Sequence, residues 1–382
     1  MACDARLKAA AARGGVAAAL GLVGTVWAQL STPADANKPP AQAAAAQWQV
    51  SASSDRHNDA LPLAQMGQHD DFRHLAPRPG RNLAYLSDEL RLQRQGEVWG
   101  LALLARSQAS LVASDQTLEL AQRVATGHAP DTDRHWQAQA HLRGFTGAGV
   151  ELSWRLELGD GLSLALSSQL LALGRLRERE ISGTVDYQSQ AKAYGFDLLS
   201  AEANDRLAFP YQQAFARHGT GLLLGARLRW VHGPWQVEAG LRDGGWLRWR
   251  GIPRQDNSLV ANRQSIDADG FVVYGPLLQG QNSQPALTSH QPWRGQLGAS
   301  VAIDSTQRLG VSVEQWPDFG LLPAVQWRRE TGPLALGLDW RLHERRLTGA
   351  LSWQGLALRV GADRLDSSAR SRTLALSYVR PI

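Results

Sequence analysis

Residues 334–364 read LALGLDWRLHERRLTGALSWQGLALRVGADR. Over long stretches every second residue is apolar, and Trp340 and Trp353 fall on that same face. Asp339, Arg341, Arg346, Arg359 and Asp363 fall on the other. A period of two marks β-strands with two unlike faces. A soluble β-protein hides the apolar face in a core. A membrane barrel turns it to lipid and keeps the charges inside.

The pattern continues outward from this stretch. VELSWRLEL (150–158) sets Val150, Leu152, Trp154, Leu156 and Leu158 against Glu151, Ser153, Arg155 and Glu157. GDG (159–161) is then a tight-turn signal. TGLLLGARLRWV (220–231) opposes Leu222, Leu224, Ala226, Leu228 and Trp230 to Arg227 and Arg229. After HGP (232–234), WQVEAGLR opposes Trp235, Val237, Ala239 and Leu241 to Gln236, Glu238 and Arg242. Residues 82–382 hold about 16 such segments, with 14 as the alternative count, each near the ~9–11 residues of a tilted membrane strand. The count takes 134–145 and 149–158 as two strands, 162–174 and 179–188 as two more, and 193–206 as another.

Loop lengths sort by end. The turns at 159–161, 232–234, 304–307, 331–333 and 354–355 share one end, and the long connections 207–217 and 251–292 share the other. Short periplasmic turns and long external loops are the rule for outer-membrane barrels. The polar stretch 107–133 breaks the scheme, because this count places it at the short-turn end. SDQTLELAQRVATG within it reads as a helix with Ser114 as N-cap and Gly127 as stop.

Trp, at 14, outnumbers Tyr at 6 and Phe at 7. It recurs near strand ends at Trp99, Trp235, Trp293, Trp316, Trp327, Trp340 and Trp353. Interfacial girdles call for such placement, whereas the core of a two-sheet sandwich gives no reason for it. The formal charge is only +5 and no basic run is present, so no nucleic-acid partner is expected. Residues 1–28 read as a secretory signal peptide: Arg6, Lys8 and Arg13, then a short apolar run, then small residues before a cut after Ala28. The single cysteine, Cys3, lies within it. Residues 29–81, low in complexity and then polar with Pro62, Pro77 and Pro79, read as a periplasmic linker or plug.

From residue 82 onward the chain resembles a Gram-negative outer-membrane β-barrel, porin-like in size and pattern. The resemblance implies an all-β, transmembrane, antiparallel up-and-down barrel, exported through the periplasm to the outer membrane. It also implies outer-membrane lipids and the barrel-assembly machinery as partners, and a homo-oligomer as one arrangement. Members commonly end in an aromatic residue; here Leu374, Leu376 and Tyr378 match that spacing, but VRPI follows.

With the apolar face outward, the expected pore lining is Arg155, Arg227, Arg229, Glu238, Arg242, Arg294, Glu314, Arg328, Asp339, Arg341, Arg346 and Arg359. Such a set needs water or a dense ion-pair network. Arginine exceeds acid, which favours a passive channel for small hydrophilic solutes with a weak anion preference. Ladder salt bridges that only brace the wall are the equal alternative. The loop 251–292 is long enough to fold inward and narrow the pore with Arg254, Asp256, Arg263, Asp267 and Asp269. Two other roles stay open: an accessory to export or envelope assembly, and an outer-membrane enzyme acting on lipid or peptide through Asp256, Asp267, Asp269 and His290.

No complete catalytic, metal or cofactor motif supports an enzyme. GVSVE (310–314) is not a nucleophile elbow, and GAG (147–149) is a turn without a following helix. HERRL (343–347) starts like a zinc motif but lacks its second His and reads as an external turn. DADG (267–270) is half of a calcium loop. His57, His69, Asp70, Asp71 and His74 have no standard metal spacing and read as a solvated segment.

Overall fold

The computed structural model describes residues 47–66, 71–260, 264–266, 272–274 and 278–381. The expected signal peptide therefore lies outside the described residues, as do His69, Asp70, Arg263 and the DADG stretch with Asp267 and Asp269. The chain begins with β1 (Gln47–Asn58), β2 (Arg81–Gln95) and β3 (Trp99–Ser114), then helix α1 (Asp115–Thr126). β4 (Arg134–Gly159), β5 (Leu162–Gln188), β6 (Ala193–Asn204), β7 (Gly219–His232), β8 (Trp235–Trp249) and β9 (Arg254–Val260) follow. The short β10 (Gln264–Ile266) and β11 (Val272–Tyr274) pair with each other. Next come β12 (Leu278–Ser283), β13 (Leu287–Gln291), β14 (Arg294–Ala302), β15 (Gln307–Trp316) and β16 (Gly320–Thr331). β17 (Leu334–Arg341), β18 (Arg346–Trp353), β19 (Leu356–Ala362) and β20 (Ser371–Pro381) complete the chain.

A closed antiparallel barrel of 14 strands runs β1–β5, β7, β8, then β14–β20, and β20 pairs back with β1. Four further strands, β6, β9, β12 and β13, extend the wall beyond one end. The expected 16 give way to the alternative 14 for physical reasons. Residues 134–145 and 149–158 are one 26-residue strand, β4, and 162–174 and 179–188 are one 27-residue strand, β5. TGAG (146–149) is not a turn, because the strand continues through it with a β-bulge between Thr146 and Gly147. A Cβ at Gly149 would collide with the Leu170 carbonyl, so this glycine serves close strand approach. Residues 193–206 lie in the extension, as β6.

Residues 47–58, expected to belong to a linker or plug, form β1. It hydrogen-bonds β2 on one edge and β20 on the other, so the barrel starts at Gln47. This added strand reverses the parity of what precedes β4. The stretch around α1 then joins the other long connections at the outer end, and the exception disappears. The connections 96–98, 160–161, 233–234, 303–306, 332–333 and 354–355 all lie at the opposite, periplasmic end. α1 is capped as expected: the Ser114 hydroxyl accepts from the Thr117 N–H at 3.1 Å, and Gly127 is left-handed with φ 70°.

The apolar face points outward. Leu338, Trp340, Leu351 and Trp353 are 46, 51, 43 and 51% exposed on the barrel wall. Trp48, Trp99, Trp230, Trp235 and Trp353 ring the periplasmic end, and Trp246, Trp293 and Trp340 stand toward the outer end. An exposed apolar band between aromatic rims is stable only in lipid, and closure satisfies every wall hydrogen bond there. The protein is an outer-membrane β-barrel. Trp316 departs from the expected girdle: it is 4% exposed and turns inward.

If β1 completes the wall, a proline at its centre must open it, because proline cannot donate to the ladder. Ser53→Pro is expected to abolish the fast-migrating folded band on unheated gels. Removal of residues 29–46 is expected to leave that band unchanged.

Candidate functional site: the charged lumen

Because side chains alternate along each strand, the polar halves of the strands converge inside the barrel. Of the twelve expected lining residues, Arg155 and Arg227 line one cavity inside the barrel and Arg242, Arg294, Glu314, Arg341 and Arg359 another, and most of the twelve are ion-paired. Arg242 pairs with Glu314, and Arg341 reaches Glu344 at 3.1 Å and Glu314 at 3.8 Å. Arg346 pairs with Asp55 and with Glu344, the latter at 3.1 Å. Arg294 meets Asp243 at 2.9 Å, Arg359 meets Asp339 at 3.5 Å, Arg229 meets Glu238 at 3.8 Å and Arg328 meets Glu330 at 2.9 Å.

Several of these pairs join one network. Arg91 bridges Glu89 at 2.8 Å and Glu151 at 2.6 Å. Arg106 extends from Glu89 to Asp243, 2.8 Å away, and Asp243 leads to Arg294. The Arg294 guanidinium lies 4.5 Å above the Trp316 ring, which stacks on Tyr85 at 4.5 Å. The Tyr85 hydroxyl donates to Glu344 at 2.9 Å and to Asp55 at 3.2 Å. Low dielectric strengthens every link of such a network and makes a missing partner costly.

A bulge builds its centre. The β7–β8 register slips between Leu224 and Ala226, and Asp243 has φ 62°. In a regular strand Arg242 and Asp243 would face opposite sides. The slip lets both enter the lumen, one toward Glu314 and the other toward Arg106 and Arg294.

Above this layer, Leu171, Leu173, Leu223, Leu247, Trp249 and Ile252 form a buried cluster. Below it, toward the periplasmic end, is a cavity of about 220 Å³ whose lining includes Gln49, Gln93, Arg155, Arg227 and Gln296. A smaller one of about 60 Å³ lies among Asp55, Arg242, Arg294, Glu314, Arg341 and Arg359. Among the described residues, Arg155 and Arg227 make no ion pair within 4 Å, unlike the guanidiniums above them.

The expected constriction is placed differently. Arg254 and Asp256 pair with each other at 2.8 Å on β9, which adds to β6 and β12 in the wall extension. The described parts of loop 251–292 prolong the wall because their backbone groups find partners at its edge. His290, on β13, packs edge-on against Trp246 and makes no bond to Asp256 among the described residues. Asp363 accepts from the Arg370 and Ser371 N–H groups and closes the loop before β20 instead of lining the lumen.

Sequence reasoning missed Asp55, Tyr85, Glu89, Arg91, Arg106, Asp243 and Glu344. Asp55 had a faint signal: Trp48 and Val50 alternate with Gln49 and Ser51 ahead of it. Asp243 had none, since parity assigns it to the lipid face. Glu344 lies in the turn between β17 and β18. Burial raises its pKa, but Arg346 and Arg341 outweigh that and hold it below the usual carboxylate range.

No protein-family model and no curated protein matches this chain. Among solved structures, the Pseudomonas putida toluene transporter TodX is 10% identical, with 90% of this chain and 91% of that chain covered and a TM-score of 0.42. The Ralstonia pickettii toluene transporter TbuX is 8% identical, covering 89% and 90%, at a TM-score of 0.30. The Escherichia coli outer membrane protease OmpT is 7% identical, covering 88% and 94%, at 0.21. Likeness at this level adds nothing to the barrel that the strand ladder itself displays.

The Arg346 side chain is 1% exposed between Asp55 and Glu344, so its loss leaves two carboxylates without their main partner. Arg346→Ala is expected to cost about 3–5 kcal/mol in urea unfolding from lipid. The depressed pKa of Glu344 makes its contribution complete above its unfolded value of about 4.3, and lost as pH falls through the folded value. Unfolding free energy is thus expected to fall less below about pH 4 in Glu344→Gln than in the parent.

Proposed function

We propose that this barrel is a narrow outer-membrane channel for small hydrophilic solutes, with a weak anion preference set at its periplasmic vestibule. The observation that carries this reading is the pair Arg155 and Arg227, which make no ion pair within 4 Å among the described residues and line the cavity of about 220 Å³, where the acids Glu89, Glu151 and Asp243 are engaged by Arg91, Arg106 and Arg294. Free guanidiniums in a water-accessible cavity attract anions and repel cations. Most of the other lumen arginines pair with acids, so the excess of arginine over acid acts locally and not along the whole wall.

The ion-pair layer is the narrow part of this route. It gives the lumen opposite charges in register, which a hydrated solute must pass or part. A low unit conductance follows, and solutes the size of small carboxylates or inorganic anions fit better than bulky ones. Outer-membrane lipids contact the apolar wall, and the barrel-assembly machinery inserts the chain; both belong to the same proposal.

Recording from purified protein in planar bilayers tests it. The parent is expected to conduct weakly with anions favoured over cations. Arg155→Gln with Arg227→Gln is expected to lower the anion-to-cation permeability ratio about twofold or more, in keeping with the ~1 kcal/mol of an exposed charge. Arg242→Ala with Glu314→Ala is expected to raise unit conductance by removing two long side chains, paired across β14, that project from the wall into the lumen. Absence of conductance, or a permeability ratio unchanged by the double glutamine variant, overturns the reading.

A further inference from the structure

His57 ends the inward face of β1, Asp59 follows the strand, and His343 stands in the turn between β17 and β18. The fold brings these three together at the outer end of the lumen. His57 Nε2 lies 3.0 Å from Asp59 Oδ1, and His343 Nε2 lies 3.0 Å from Oδ2. All three ligand atoms fall within 4.8 Å of one another. We propose that His57, Asp59 and His343 form a site for a divalent transition metal of the zinc class, with a fourth position open to water.

The donor set supports that class. Two imidazoles and one carboxylate suit Zn²⁺ and its borderline neighbours, and three protein ligands leave an open position. Bond lengths of ~2.0–2.2 Å in a tetrahedron place ligand atoms roughly 3.3 Å apart, close to the two His–Asp spacings of 3.0 Å found here. The ligands are also held in place. His57 and Asp59 are fully buried, and the Leu83 N–H donates to Asp59 Oδ2 at 2.9 Å. His57 packs against Tyr85, and His343 packs edge-on against Phe319 at 5.0 Å.

A cation already occupies this neighbourhood. Arg78 Nη1 lies 2.8 Å from Asp59 Oδ1 and 3.3 Å from His343 Nε2. Among the described residues it is the guanidinium paired with the Asp59 carboxylate that the metal must displace, and it can leave: its side chain is 31% exposed and sits on the connection between β1 and β2. Arg78 and the metal therefore compete for one carboxylate. Bound metal would clip the outer end of β1, the strand that closes the barrel, to the turn after β17.

Co²⁺ titration of the folded, detergent-purified full chain, followed in the visible spectrum and by equilibrium dialysis, tests the site. The parent is expected to bind about one Co²⁺ per chain, displaced by Zn²⁺. His57→Gln and His343→Gln are each expected to weaken binding roughly 10–100-fold or more. Arg78→Ala is expected to tighten it about tenfold, an effect that an unspecific surface site does not show. His343 is 25% exposed, so His343→Gln keeps the test open if His57→Gln does not fold. No Co²⁺ binding by the parent, equal binding by the folded histidine variants, or no tightening in Arg78→Ala overturns the proposal.

Discussion

From Gln47 to His57, β1 hydrogen-bonds β20 on one side and β2 on the other. Everything else in the barrel depends on that double pairing. Lipid offers no partner to a free N–H or C=O, so an open sheet edge at membrane depth is not tolerated. Thirteen strands of this chain form a curved sheet with two such edges; the fourteenth removes both. Once the wall is closed, its apolar face has only lipid to meet and its polar face only the lumen.

Closure sets the problem that the lumen then solves. The inward faces bring many charges into a space much narrower than bulk water. Most are matched acid to base; some pairs lie along one strand, and others span several. Arg346 of β18 meets Asp55 of β1, and Arg106 of β3 meets Asp243 of β8. Such links tie distant parts of the wall together and hold the cross-section in one shape. Arg155 and Arg227, which make no ion pair within 4 Å among the described residues, line the cavity toward the periplasmic end.

Much of the wall was legible because a period of two survives wherever one face is apolar. The turns at 304–307, 331–333 and 354–355 were found, and so were the N-cap and stop of α1. Legibility failed where glycine or short polar residues blurred the pattern. Gly147 and Gly149 look like a turn in sequence but serve a bulge and a close approach. Ser51, Ser53 and Ser54 weaken the contrast of β1, which therefore passes for linker. Parity is what the expected inward set rests on, and parity fails at a bulge, which is why it does not reach Asp243. Trp316 shows the converse: an aromatic near a strand end suits a girdle, yet here it carries Arg294 and Tyr85 inside.

Strands with one lipid-compatible face, short turns at one end and a charged opposite face are written in the residue order alone. Those properties are local, since each follows from alternation or turn chemistry within a few residues. The strand number, the partner of each charge and the meeting of His57, Asp59 and His343 emerge only in the folded barrel. These depend on which strands become neighbours around the closed wall. Asp59 and His343 are 284 positions apart along the chain and 3.0 Å apart in space. No spacing rule reaches that far, because loop closure and barrel register, not local propensity, bring such residues together.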